Sequence, residues 1–206
     1  MSIVPFLSAK ENNVTCTGLY FNQYEFMILP VVAYGHPVLR KVCDEITAEY
    51  PGLEKLIADM WETLYNSNGV GLAAPQINKP IRLFLVDTVQ IVEDFDDEDR
   101  KEYPNEEPIK QVFINAEMIE ESGEMWPYNE GCLSIPKIRE DVMRHRKVHI
   151  RYMDENFVTH EKHFHGITAR VIQHEYDHIE GKLFIDYMSS LKKRLIKKKL
   201  DDIASG

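Results

Sequence analysis

Cysteine is scarce in this sequence: Cys16, Cys43 and Cys132 are the three in a chain of 206 residues. Their number is odd and their spacing matches no disulfide framework, which is typical of a protein from a reducing compartment. A run of apolar residues long enough to cross a bilayer, about 20 residues, is also missing. The first residues, MSIVPFLSAKENN, lack the basic start and the cleavage site of a signal peptide. We therefore expect a cytoplasmic protein with no membrane partner.

An excess of positive charge is missing too, because the formal net charge is -10. Binding to nucleic acid phosphates needs clustered Lys and Arg, so we expect no sequence-specific nucleic acid partner. The hydrophobic fraction of 44% is that of an ordinary folded protein. Strong apolar patterning begins at Met27, which predicts a single domain over residues 27–206. Residues 1–26 are predicted to be an N-terminal extension outside the core, with a surface strand as the alternative.

The first half of this domain has one clear helical pattern. Apolar residues recur at three- and four-residue spacing from Pro51 onward, and the run NSNG is typical of a helix end. The Gly-rich, apolar segment Gly69–Ile77 predicts a loop, and Ile81–Asp87 predicts a buried strand. The acidic residues that follow, 92–108, are typical of a solvated loop.

The second half of the domain contains both strand and helix patterns. QVFINAEMIEE predicts a strand, and KVHIRYMDENFVTHEKHFHG predicts a hairpin about the turn Asp154–Asn156. Helical spacing runs from Ile167 to Gly181, and the basic run LKKRLIKKKLDDIAS predicts a C-terminal helix. Strands and helices that do not alternate one by one indicate an α+β fold. We expect antiparallel β-sheets packed around the central helix that starts at Ile167.

That central helix carries the pattern H-E-x-x-H at His174–His178. Residues four apart lie on one helix face, so the two imidazoles can converge on one metal ion with Glu175 beside it as a base. A catalytic metal site usually has a third protein ligand. Glu180 and Asp186 are downstream candidates in a segment that is otherwise rich in lysine. Cys132 is an upstream candidate, although a lone cysteine is more often a small buried apolar residue.

Three segments together resemble the peptide deformylase family: GVGLAAPQI at Gly69–Ile77, EGCLSIP at Glu130–Pro136 and QHEYDHIEGKLF at Gln173–Phe184. Their order and spacing also fit, and GHPVLRK is similar to the family's N-terminal segment. The resemblance extends over most of residues 27–187. It implies a metal-dependent amidohydrolase that removes the N-formyl group from the formyl-methionine of nascent proteins and releases formate. Formylmethionyl peptides and nascent chains are the implied substrates.

The resemblance also implies roles at the reaction centre. The implied metal ligands are Cys132, His174 and His178. The implied catalytic groups are the base Glu175 and two oxyanion donors, the Gln76 amide and the backbone N–H of Leu133. The implied substrate contacts are backbone pairing at Gly71, an apolar methionine pocket that draws on Val70 and Val171, and a nearby Arg139.

Groups behind the ligands are expected to orient them. Glu130 and Asp177 are the candidates, with Asp177 paired to Arg144; an Asp177 that is merely a surface carboxylate is the alternative. A Cys-His-His set accepts one divalent ion, and zinc, iron(II), nickel and cobalt are all compatible with it. The resemblance implies iron(II) in the cell, with other metals replacing it in purified protein.

The basic C-terminal run, residues 192–199, has two interpretations. A solvated helix face is the simpler one. The resemblance implies the other, a contact with ribosomal RNA, which would be sensitive to salt.

Two rival functions use the same residues. A zincin-type metalloprotease would take its third ligand downstream and would not need Cys132 for the metal. A non-catalytic metal-binding or partner-binding module would close the fourth position on the metal. Such a module has no use for Glu175 or Gln76, which favours the hydrolase.

Overall fold

The structure of the chain is a computed structural model that describes residues 26–104 and 106–205. The predicted N-terminal extension, residues 1–26, lies outside the described residues except for Phe26. The helices are α1 (Leu53–Asn66), α2 (Val89–Glu93), α3 (Asp97–Glu102), α4 (Gly166–Ile179) and α5 (Ser190–Ser205). The strands are β1 (Gly71–Ala73), β2 (Leu83–Asp87), β3 (Lys110–Cys132), β4 (Ile135–Met153) and β5 (Thr159–His165). Among the described residues, no helix has the length and apolar character that a membrane span requires.

The strands form an antiparallel sheet in the order β1-β2-β3-β4-β5. The α+β class is therefore confirmed, although the described strands join in one five-stranded sheet rather than in several. The predicted hairpin is β4 and β5, in which His149 lies opposite His163. Strands β3 and β4 are much longer than the apolar runs that predicted them, and their pairing continues to Cys132 and Ile135. This long pairing brings EGCLSIP to the same place as helix α4.

Helix α4 lies in the core and is buried over most of its length, polar residues included. Its apolar residues pack against the sheet in a cluster that includes Phe113, Ile150 and Ile172. A second apolar cluster joins α1 to β1 and β2, and a third lies beneath α5 around Ile196 and Leu200. Because α4 has hardly any contact with solvent, each polar side chain on it needs a partner inside the protein.

Two local predictions in the first half need correction. Gly69–Ile77 is not a loop, because Gly71–Ala73 forms β1 and Ala74–Ile77 forms a 3-10 turn. All three residues of β1 are buried, so the segment shows no alternation that would predict a strand. Helix α1 begins at Leu53 rather than at Pro51, since Gly52 occupies the N-cap position with a φ of +70°.

The acidic segment, residues 92–108, is also not simply a solvated loop. It contains α3 and the end of α2, and the side chain of Asp96 accepts hydrogen bonds from the first turn of α3. The Glu106 carboxylate accepts hydrogen bonds from the backbone N–H groups of Ile167 (2.9 Å) and Thr168 (2.7 Å). These N–H groups belong to the first turn of α4, where backbone N–H groups find no acceptor within the helix. The acidic segment therefore caps the helix that carries the H-E-x-x-H motif.

Candidate active site

Cys132, His174 and His178 lie together in the structure. One donor atom from each lies within 4.8 Å of the other two, and Cys132 Sγ is 3.3 Å from His178 Nε2. The histidines are neighbours because they are one turn apart on α4, whereas Cys132 reaches them from the end of β3. The two downstream candidates lie elsewhere in ion pairs, Glu180 with Arg82 and Asp186 with Arg40. The third donor in this cluster is thus the upstream cysteine.

A buried carboxylate orients the first histidine. Glu130 Oε2 is 2.9 Å from Nδ1 of His174, which leaves Nε2 of that ring to face the cysteine. Glu130 also accepts hydrogen bonds from Arg144 and Arg170 at distances of 2.7 to 3.1 Å. Burial opposes its ionisation, but the hydrogen bond from His174 and the charge of Arg144 hold the pKa of Glu130 well below its usual range.

Arg144 joins this carboxylate to a second one. Its Nη1 lies 2.7 Å from Oδ2 of Asp177, and both side chains are buried. Tyr187 donates a hydrogen bond to the other oxygen of Asp177, and the Arg144 guanidinium lies over the Tyr187 ring. Asp177 therefore does not occupy the surface position that was the alternative for it. The predicted partner of Asp177, Arg144, is present beneath α4.

Arg170 is a residue of this network that the sequence interpretation missed. It is 2% exposed, and it donates to Glu130 and to the backbone carbonyls of Trp126 and Val142. A signal was available: Arg170 precedes His174 by one helical turn and lies among the apolar residues Ile167, Ala169, Val171 and Ile172. A charged residue in that position needs a buried partner of opposite charge.

The electrostatics of the two histidines suit a cation between them. Burial lowers the pKa of His178 well below its usual value, so its ring is neutral, as a metal ligand must be. Burial also disfavours the charged form of His174, but hydrogen bonds with Cys132 and Glu130 raise its pKa well above its usual value. These neighbours favour positive charge at that ring. The donor set therefore fits a divalent metal ion, which supplies such charge.

Glu175 lies beside this cluster on the same helix. It is 4% exposed, and its Oε2 has no hydrogen-bond partner among the residues that the structure describes. Burial raises the pKa of Glu175 to about 7. A carboxylate with a pKa near neutrality can both accept and return a proton. Gly71 leaves space for it, since a Cβ atom at that position would lie 2.3 Å from Glu175 Oε1.

The residues predicted to supply the oxyanion donors, Gln76 and Leu133, lie next to Cys132. Gln76 Oε1 accepts a hydrogen bond from the backbone N–H of Ala73 (2.8 Å), which fixes the orientation of the amide. Its Nε2 then lies 3.5 Å from Cys132 Sγ and 3.4 Å from the hydroxyl of Ser134. Leu133 follows Cys132 directly and lines the same cleft. Two potential donors thus border the candidate metal site.

A cleft of about 430 Å³ opens onto this site. The residues that line it include all four predicted substrate contacts: Val70, Gly71, Arg139 and Val171. Arg139 is exposed and is held at the rim by hydrogen bonds to Asn129. Tyr128 and Ile91 line the cleft as well, and the sequence interpretation missed both.

A thiol and two imidazoles that converge beside a buried carboxylate, at the base of an open cleft, define a metal-dependent hydrolase. Three protein ligands with an accessible remaining position are the usual arrangement in a catalytic metal site, whereas structural sites are closed by a fourth ligand.

Comparison with known proteins narrows this class. The family model for polypeptide deformylase matches residues 28–194. The chain is 56% identical to the peptide deformylase of Flavobacterium psychrophilum over 180 residues, which cover 87% of this chain and 92% of that protein. It is 53% identical to the peptide deformylase of Christiangramia forsetii over 182 residues, covering 87% and 91%.

Solved structures agree with the sequence matches. The peptide deformylase from Thermus thermophilus matches with a TM-score of 0.74 at 30% identity, covering 87% of this chain and 99% of that one. The peptide deformylase from Legionella pneumophila matches with a TM-score of 0.71 at 34% identity, covering 85% and 94%. The chain belongs to the peptide deformylase family, as its three motifs predict, and is a metal-dependent hydrolase.

Proposed function

We propose that this chain hydrolyses the N-formyl group of formylmethionyl peptides, nascent chains included, with Glu175 as the general base. The reaction is assigned because the chain belongs to the peptide deformylase family. The assignment of the base depends on one observation: a buried carboxylate with an unpartnered oxygen lies beside three convergent metal donors. Cys132, His174 and His178 would hold the metal ion.

A divalent ion at this site supplies Lewis acidity, which lowers the pKa of water and polarises a carbonyl group. Glu175 accepts the proton of the attacking water as the new C–O bond forms at the formyl carbon. It then gives that proton to the amine nitrogen as the C–N bond breaks, so that formate and a free N-terminus result. The raised pKa of Glu175, about 7, suits both transfers.

Gln76 Nε2 and the Leu133 N–H would donate to the oxygen on which negative charge develops. The amide nitrogen of Gln76 is directed toward Cys132 because its oxygen is held by the Ala73 N–H. Loss of one such donor typically costs about 3–4 kcal/mol of transition-state stabilisation. Behind the ligands, Glu130, Arg144 and Asp177 would keep His174 in its orientation.

The substrate would bind as an additional strand. β1 lies at the edge of the sheet and is paired on one side with β2. An extended peptide can add to such an edge through backbone hydrogen bonds, which supports the role proposed for Gly71. The methionine side chain would enter the apolar part of the cleft at Val70 and Val171, and Arg139 would contact the peptide at the rim.

Iron(II) is the proposed ion in the cell, with zinc, nickel or cobalt in purified protein. A mixed thiolate and imidazole set accepts all of them, and a thiolate beside a redox-active ion is open to oxidation. We expect activity to fall in air when iron is bound and to persist when nickel is bound. Equal sensitivity of the two forms to air would argue against iron.

We further propose that residues 27–206 form the catalytic domain, that the protein acts in the cytoplasm, and that α5 contacts the ribosome. The family match from residue 28 supports the domain boundary.

The charged residues of α5 between 192 and 199 are exposed and all basic, in a chain whose net charge is -10. Removal of α5 should abolish a salt-sensitive co-sedimentation with ribosomes; co-sedimentation that survives the truncation would refute this contact.

Formate release tests the function directly. The protein should release formate from a formyl-Met peptide, and no new amine should appear when the same peptide lacks the formyl group. Glu175→Gln should keep its metal while turnover collapses, and Cys132→Ala should lose metal. Cleavage of internal peptide bonds by a Cys132→Ala protein that retains metal would favour the protease instead.

A further inference from the structure

The apolar part of the cleft is not built by the three family motifs alone. Ile91, on the short helix α2, lines the cleft together with Val70, Tyr128 and Val171. It is half-buried and packs against the core cluster that contains Val171. Gln90 and the acidic end of α2 are exposed, whereas Val92 is buried and Val89 is half-buried. Of the residues of α2, Ile91 is the one that lines the cleft.

Thr88, the N-cap residue of α2, joins this helix to α4 and to the segment before β3 through buried hydrogen bonds. The hydroxyl groups of Thr88 and Thr168 lie 3.0 Å apart, and both residues are fully buried. The backbone N–H of Thr88 also donates to the carbonyl of Ile109 (2.9 Å). Ile91 and Val171 each follow one of the two joined threonines by three residues. The hydrogen bond between the threonines thus holds Ile91 in a constant place relative to the helix that carries the candidate metal ligands.

We infer that Ile91 limits the width of the pocket that receives the first side chain of the substrate, so that the short helix α2 contributes to substrate selectivity. This inference depends on the proposed function. An unbranched side chain such as that of methionine passes beside a branched aliphatic residue, whereas a wider ring needs the space that Ile91 fills. One methylene group in an apolar pocket changes kcat/KM by about tenfold or more.

Two opposite substitutions test the inference with three formylated tripeptides that differ only in the first residue: Met, Ala or Phe. Ile91→Phe should narrow the pocket, so the ratio of kcat/KM for the Met peptide to that for the Ala peptide should fall by about tenfold. Ile91→Ala should widen it and raise the ratio for the Phe peptide over the Met peptide by a similar factor. The use of ratios cancels any change in the amount of folded or metal-bound protein.

Val89→Ala is the matched control, because Val89 is a half-buried aliphatic residue of the same helix that does not line the cleft. Its ratios should equal those of the unmodified protein. Ratios that stay unchanged in both Ile91 variants, with the unmodified protein active, would overturn this inference alone. A failure of the unmodified protein to release formate from any of the three peptides would overturn the proposed function as well.

Discussion

A methyl group at Gly71 would occupy space that the Glu175 side chain now fills. A Cβ atom there lies 2.3 Å from Oε1 and 2.7 Å from the carboxyl carbon of Glu175, whereas ordinary contact begins at 3.4 Å. Gly71 is a strand residue without a positive φ, so alanine can adopt its backbone conformation. The carboxylate must therefore retreat by about 1 Å in Gly71→Ala, and a displacement of this size can cost about 100-fold in rate.

We expect Gly71→Ala to lower kcat for a formyl-Met peptide by about 100-fold, with KM and metal content nearly unchanged. The measurement is formate release over a range of peptide concentrations, with metal content determined on the same samples. A rise in KM with little change in kcat would indicate instead that the added methyl group disturbs substrate binding rather than the position of Glu175.

A double-mutant cycle separates the two roles of Gly71. In a Glu175→Gln background the base is already absent, so Gly71→Ala should cost little more. If Gly71→Ala costs as much in that background as in the unmodified protein, then it does not act through Glu175, and the steric reasoning is refuted.

Three further predictions concern the groups around α4. Arg144→Met leaves Glu130 and Asp177 buried without their cation and should lower the free energy of unfolding in urea by about 3–5 kcal/mol; a change below about 1 kcal/mol, the size typical of exposed pairs, would contradict this. Because the pKa of Glu130 lies below its usual 4.5, its contribution to stability is complete above that pH and is lost as the pH falls. The free energy of unfolding of Glu130→Gln should therefore fall less steeply with decreasing pH than that of the unmodified protein. Equal slopes for the two proteins at acidic pH would refute this prediction. Glu106→Ala removes the acceptor at the start of α4 and should lower the free energy of unfolding by about 1 kcal/mol. An unchanged midpoint temperature of thermal unfolding would show that this cap is not needed.

The chemistry on α4 could be predicted from the sequence because it depends on local spacing. His174, Glu175 and His178 are positioned by one turn of helix, so the pattern itself places two imidazoles on one face beside a carboxylate. The apolar spacing that predicts α4 also predicts its burial. Arg170 could have been found in the same way, as a charge one turn before His174 on a buried helix.

Cys132 could be preferred to the downstream candidates Glu180 and Asp186 only through the family resemblance. It lies 42 residues before His174 in the chain, and the long pairing of β3 with β4 is what brings it to α4. Nothing in its neighbouring residues distinguishes it from an ordinary buried cysteine. The same holds for Gln76, whose amide reaches Cys132 across 56 residues.

The tertiary structure alone decided the role of the acidic segment. Its composition is that of a solvated loop, and many of its residues are indeed exposed. Glu106 nevertheless accepts hydrogen bonds from backbone groups 61 and 62 residues away. Just before this segment, Ile91 lines the cleft on a helix whose N-cap residue, Thr88, bonds to Thr168. Local pattern determines which residues share a helix face, since those distances are set by the backbone. Contacts between distant segments depend on how the elements pack, which composition does not specify.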